Sequence, residues 1–128
     1  MRVKIGDFGV AELAGSDPFF KFKAEPAYRY RSPEMEAPIT GDSSQSRFGV
    51  DLWALGCIVH ELLTNANPFI TLLDRTKYVA SSKFSEDSLQ SKAISRQGIE
   101  FVKGALALKP ENRMTAEQAL GSDWLRAL

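Results

Sequence analysis

The chain has 128 residues, 44% of them apolar, so it is one domain or part of one and neither a disordered nor a membrane-like polymer. Sixteen basic residues cancel sixteen acidic ones, which gives no support for nucleic acid or an anionic membrane as a main partner. A single cysteine, Cys57, excludes a disulfide framework and fits a reducing, intracellular compartment, cytoplasm or nucleus.

Residues 1–6 lack the long apolar run of a signal peptide. Residues 3–8 read as a short strand built on Val3 and Ile5. Residues 10–26 are punctuated by Gly15, Pro18 and Pro26 and read as a loop. Inside it, Phe20 and Phe22 alternate with Lys21 and Lys23 and suggest a second short strand. Ser32-Pro33-Glu34-Met35 predicts a brief helix with Ser32 as its cap and Pro33 in the first turn. Residues 37–47 are polar and read as flexible.

The strongest helix is predicted over residues 48–63. Leu52, Leu55, Val59 and Leu62 recur at three- and four-residue steps, while Trp53, Ile58 and Leu63 occupy other faces. Such a helix is apolar nearly all round and has to be surrounded by protein. It is too short, and too charged at Asp51, His60 and Glu61, to span a bilayer. Cys57 sits in this pattern as a small core residue rather than a reactive thiol. A weaker helix is predicted from Leu72 to Ser81, and residues 82–95 are serine-rich and poorly specified. Residues 98–108 are amphipathic, with Ile99, Val102, Ala105 and Leu106 on one side. Residues 109–113 form a turn. Thr115 then caps a helix through Leu120, with Gln118 completing a capping box, and Trp124-Leu125 forms an apolar tail.

Four motifs follow one another in a characteristic order: Asp7-Phe8-Gly9, Tyr30-Arg31-Ser32-Pro33-Glu34, Asp51-Leu52-Trp53-Ala54-Leu55-Gly56, and Arg113-Met114-Thr115-Ala116 leading to Trp124-Leu125. In that order and at those separations the chain resembles the C-terminal lobe of a eukaryotic-type protein kinase of the serine/threonine kind. The resemblance covers residues 3–125. It implies a mainly α fold with a short N-terminal strand and a loop-rich activation segment, residues 7–34, followed by a helical subdomain, residues 48–128. It implies ATP-dependent phosphoryl transfer to protein hydroxyls with Mg²⁺, and Asp7 as the metal- and nucleotide-binding aspartate. Phe8 becomes the apolar wedge and Gly9 the backbone pivot. Glu34 is expected to form a buried ion pair with Arg113. Asp51 is expected to receive backbone donors from a catalytic loop, with Trp53 and Gly56 packing the central helix. Without the resemblance, Asp51 and Arg113 read equally well as solvated surface charges.

The family's glycine-rich loop, its strand lysine and its catalytic loop all come before Asp-Phe-Gly. The 128 residues contain no Gly-x-Gly-x-x-Gly and no His-Arg-Asp, and His60 is followed by Glu61-Leu62. The expectation is therefore a lobe that does not transfer phosphate by itself. The alternative is a non-catalytic, pseudokinase-like interaction module. Ala27 stands where the family usually has a threonine, which strengthens that expectation. Between Gly9 and Ala27 the only hydroxyl is Ser16, so a phosphate switch in this segment has Ser16 or Tyr28 to use. Lys21, Lys23, Arg29 and Arg31 read as a solvated face rather than a site for an acidic peptide. The expected partners are a protein substrate or another kinase, met through the activation-segment face. Part of the central helix is expected to stay uncovered, favouring self-association.

Overall fold

The computed structural model describes residues 3–9, 11, 29–35 and 44–127. Among these the fold is helical: α1 (Ser44–Thr64), α2 (Leu72–Ser81), α3 (Asp87–Ser91), α4 (Arg96–Ala105), α5 (Ala116–Leu120) and α6 (Asp123–Arg126), with 3-10 turns at Pro33–Met35 and Pro110–Asn112.

The mainly α architecture is as expected, but the N-terminal strand is not. Residues 3–8 form no strand, and Val3 and Ile5 stand 83% and 87% exposed. A strand owes its stability to a paired neighbour and to a covered face. Among the described residues this segment has neither. The second strand, suggested around Phe20 and Phe22, lies outside the described residues.

α1 is the axis of the molecule. It begins four residues earlier than the apolar periodicity of residues 48–63 indicates. Its inward face carries Leu52, Trp53, Gly56, Cys57, His60 and Thr64, all buried. Trp53 stacks on Phe69 (centroids 5.3 Å apart) and on Tyr78 (6.3 Å), so the loop after α1 and the inner side of α2 close over one indole. Leu89 of α3 and Ile99, Val102 and Leu106 around α4 complete this core. A second cluster joins Leu52, Phe101 and Ala119, with Trp124 packed against it.

α1 and α4 meet at Gly56. A Cβ placed there would lie 2.9 Å from both the Ala105 Cβ and the Leu106 Cδ2, so only glycine permits this approach. Ser95 caps α4 by accepting the Gly98 N–H (3.2 Å). The Thr115–Gln118 capping box forms in both directions: Gln118 N–H to Thr115 Oγ1 at 3.1 Å, and Thr115 N–H to Gln118 Oε1 at 2.9 Å. α2 has a capping box too, between Thr71 and Asp74, where the backbone and hydroxyl donors of Thr71 hold the Asp74 carboxyl below its ordinary pKa.

The opposite face of α1 is left open. Phe48, Asp51, Leu55, Ile58 and Leu62 follow one another at steps of three and four residues, and all are exposed, Leu62 by 77%.

Candidate functional site

The Pro33–Met35 turn starts with a residue that has no N–H to satisfy, and the Met35 N–H closes the turn on the Ser32 carbonyl at 3.1 Å. The cap is thus the Ser32 backbone. Its hydroxyl, expected to cap, is fully buried and meets no hydrogen-bond partner among the described residues. The turn aims Glu34 at Arg113, which follows the Pro110–Asn112 turn.

Arg113 and Glu34 form a fork-to-fork pair, Nη1 to Oε1 at 2.6 Å and Nη2 to Oε2 at 3.0 Å, with the arginine side chain wholly buried. Arg113 Nε donates to the Ala107 carbonyl (3.0 Å), Nη1 to that of Gly49 (2.7 Å) and Nη2 to that of Leu108 (3.4 Å). Each of the guanidinium's five N–H groups therefore has an acceptor. The same guanidinium lies 5.1 Å from the Trp53 ring centroid. One side chain ties the Pro33–Met35 turn, the early part of α1 and the segment after α4 into one body.

Two further bonds hold the residues just before that turn. The Tyr30 hydroxyl donates to Glu61 Oε2 on α1 (2.9 Å). The Glu61 carboxylate, with burial adding to it, raises the Tyr30 phenol above its ordinary pKa. From α2, Arg75 Nη1 donates to the Arg31 carbonyl (3.1 Å). Sequence reasoning missed Glu61 and Arg75 as partners. Glu61 lies in the strongest helix one residue after His60, but nothing local links it to Tyr30, 31 residues away. Arg75 lies in a weak helix with no pattern to mark it.

The structure thus gathers Glu34, Trp53 and Arg113. Asp7, Phe8 and Gly9 are exposed, with Phe8 at 68%, and Asp7 adopts a left-handed backbone (φ 61°), which aspartate tolerates better than most residues. Asp51 is exposed on α1. Ser16, Ala27, Tyr28, Lys21 and Lys23 lie outside the described residues. Among the described residues no group of three or more His, Cys, Asp or Glu is placed to hold a metal ion. Asp7 contributes one exposed carboxylate among the described residues. Cys57 is fully buried, and desolvation pushes its thiol up to about 12, which leaves it inert at neutral pH. No helix among the described residues is long and apolar enough to cross a membrane.

His60 joins α1 to α3. Its Nδ1 lies 2.8 Å from the Ala66 carbonyl and its Nε2 lies 2.8 Å from Ser88 Oγ. The carbonyl can only accept, so Nδ1 carries the proton and Nε2 accepts from the serine. Burial holds His60 below its ordinary pKa of 6.5.

The family model for the protein kinase domain matches residues 1–125. The chain belongs to the protein kinase family. It is 31% identical to the serine/threonine-protein kinase RAD53 of Saccharomyces cerevisiae over 97% of this chain and 16% of that protein. It is 29% identical to the calcium/calmodulin-dependent protein kinase cmkB of Emericella nidulans, over 94% of this chain and 30% of the relative. A crystal structure of the Rad53 kinase domain and SCD2 in complex with AMPPNP superposes with a TM-score of 0.64 at 28% identity, covering 80% of this chain and 39% of that one. The helical architecture is thus that of a kinase fragment, and the chain spans well under half the length of these relatives.

Proposed function

We propose that this chain is the protein-binding platform of an ATP-dependent serine/threonine protein kinase, and that these residues alone do not transfer phosphate. Residues 7–34 act as the activation segment and residues 48–128 as the helical base. The observation that carries this reading is the buried Glu34–Arg113 fork, which locks residues 30–34 to the helices as a rigid surface. Phosphoryl transfer depends on charged groups positioned around the nucleotide. Asp7 supplies a single exposed carboxylate for Mg²⁺, and the glycine loop, lysine and catalytic aspartate come from elsewhere. ATP and Mg²⁺ then belong to the assembled kinase. A protein substrate or a partner kinase meets the face around residues 29–34, inside the cell. The open face of α1 drives self-association when nothing else covers it.

The test is a thermal-shift titration with Mg²⁺ and ATP alongside a radiolabel-transfer assay on the purified chain. No shift and no transfer are expected. Turnover that disappears in Asp7→Ala would overturn the proposal. Ala27, in place of the family's usual threonine, favours a second reading as a non-catalytic interaction module. A longer protein carrying these residues that phosphorylates substrate decides for the first reading. One that binds proteins but transfers nothing decides for the second.

A further inference from the structure

The contacts that hold residues 30–34 include three from the helical base. Tyr30 is held by Glu61 of α1, Glu34 by Arg113, and the Arg31 carbonyl by Arg75 of α2. The third contact differs in kind, because it acts on backbone and comes from α2. α2 buries only Arg75 and Tyr78. Tyr78 donates its hydroxyl to the Leu106 carbonyl at 2.8 Å, which moors the helix to the base. Arg75, only 4% exposed, reaches the other way to the segment. Burying a guanidinium to hold a backbone carbonyl is costly unless the geometry is firmly held. A trans peptide is planar, so fixing the Arg31 carbonyl fixes the whole plane and turns the Ser32 N–H to its opposite side.

We infer that Arg75 is a positioning residue for peptide binding: it sets the orientation of the Arg31–Ser32 peptide plane and couples the placement of α2 to the surface that a protein ligand meets. The inference rests on the proposed platform reading of residues 29–34.

The test is amide hydrogen exchange on the whole 128-residue chain, comparing residues 29–35 with α4. Arg75→Met keeps the bulk and removes the donors, and Arg75→Lys restores one donor and the charge. Exchange in residues 29–35 of Arg75→Met is expected to rise at least ~10-fold, the least effect of losing the charge-assisted hydrogen bond to the Arg31 carbonyl, while α4 stays within about twofold. Arg75→Lys is expected to recover most of the protection. An equal rise in both regions makes Arg75 a general packing residue and overturns the inference. So does an unchanged segment, or a lysine variant that behaves like methionine. If the wild-type chain binds no substrate peptide, the platform reading fails while the exchange result still stands.

Discussion

Arg113 and Glu34 are partners with unequal dependence on each other. Glu34 relies on Arg113 for its fork, whereas Arg113 keeps carbonyl acceptors at Gly49, Ala107 and Leu108 if the carboxylate goes. Arg113→Ala leaves a part-buried carboxylate and three carbonyls without their donor, and should cost about 3–5 kcal/mol. Glu34→Gln keeps the shape and one acceptor, and should cost about half as much or less. Equal losses in urea unfolding would mean that the carboxylate and not the guanidinium holds the junction. His60 makes a separate prediction, because it is the only histidine. Its folded pKa lies below 6.5, so the unfolded chain takes up a proton first as pH falls. Stability is full above pH 6.5, declines as pH drops through 6.5 toward the folded value, and levels off below it. His60→Gln should flatten the melting temperature across that window. A wild-type melting temperature that rises on acidification from pH 7 to 6 would contradict the assignment.

Among the elements, the contact of α1 with α4 is set by one missing methyl group. Gly56→Ala forces its Cβ against Ala105 and Leu106 at 2.9 Å, between two packed helices. Overpacking of this sort should cost about 1–3 kcal/mol, read as a lower denaturation midpoint, even though alanine is the better helix former. A more stable Gly56→Ala would show that the helices separate freely. The same contact shows what the sequence discloses. The period of Leu52, Leu55 and Val59 locates α1, and the Thr115–Gln118 pair locates a helix start, because both signals are local. α3 escapes a reading of residues 82–95 because its five residues bury only Leu89 and leave no period to read. The strand expected over residues 3–8 fails because alternation predicts a face to be covered and not the neighbour that covers it. Of the site, the Glu34–Arg113 pair is legible through family motifs. The Tyr30–Glu61 and Arg31–Arg75 contacts are not, since they join residues 31 and 44 positions apart through geometry that only the fold supplies.

At the scale of the molecule, one side of α1 is a core and the other is a row of exposed apolar side chains. Phe48, Leu55, Ile58 and Leu62 together present a few hundred Å² to water, which at ~25 cal/mol per Å² forgoes several kcal/mol of burial. A patch of this size on a small domain marks a contact surface, and the kinase domain structure that the chain matches is more than twice as long as the part it covers. Without a covering partner, two copies are expected to meet through this face. Leu62→Glu, alone and combined with Ile58→Glu, tests it, because both positions are exposed and the changes should alter folding stability by under about 1 kcal/mol. Sedimentation velocity should show the wild-type chain above its 14.2 kDa monomer mass and the double variant close to it, with similar melting temperatures. A wild-type chain that sediments as a monomer and melts in a sharp transition would remove the need for a partner on α1. If the double variant associates as strongly as the wild type, the contact lies on another face.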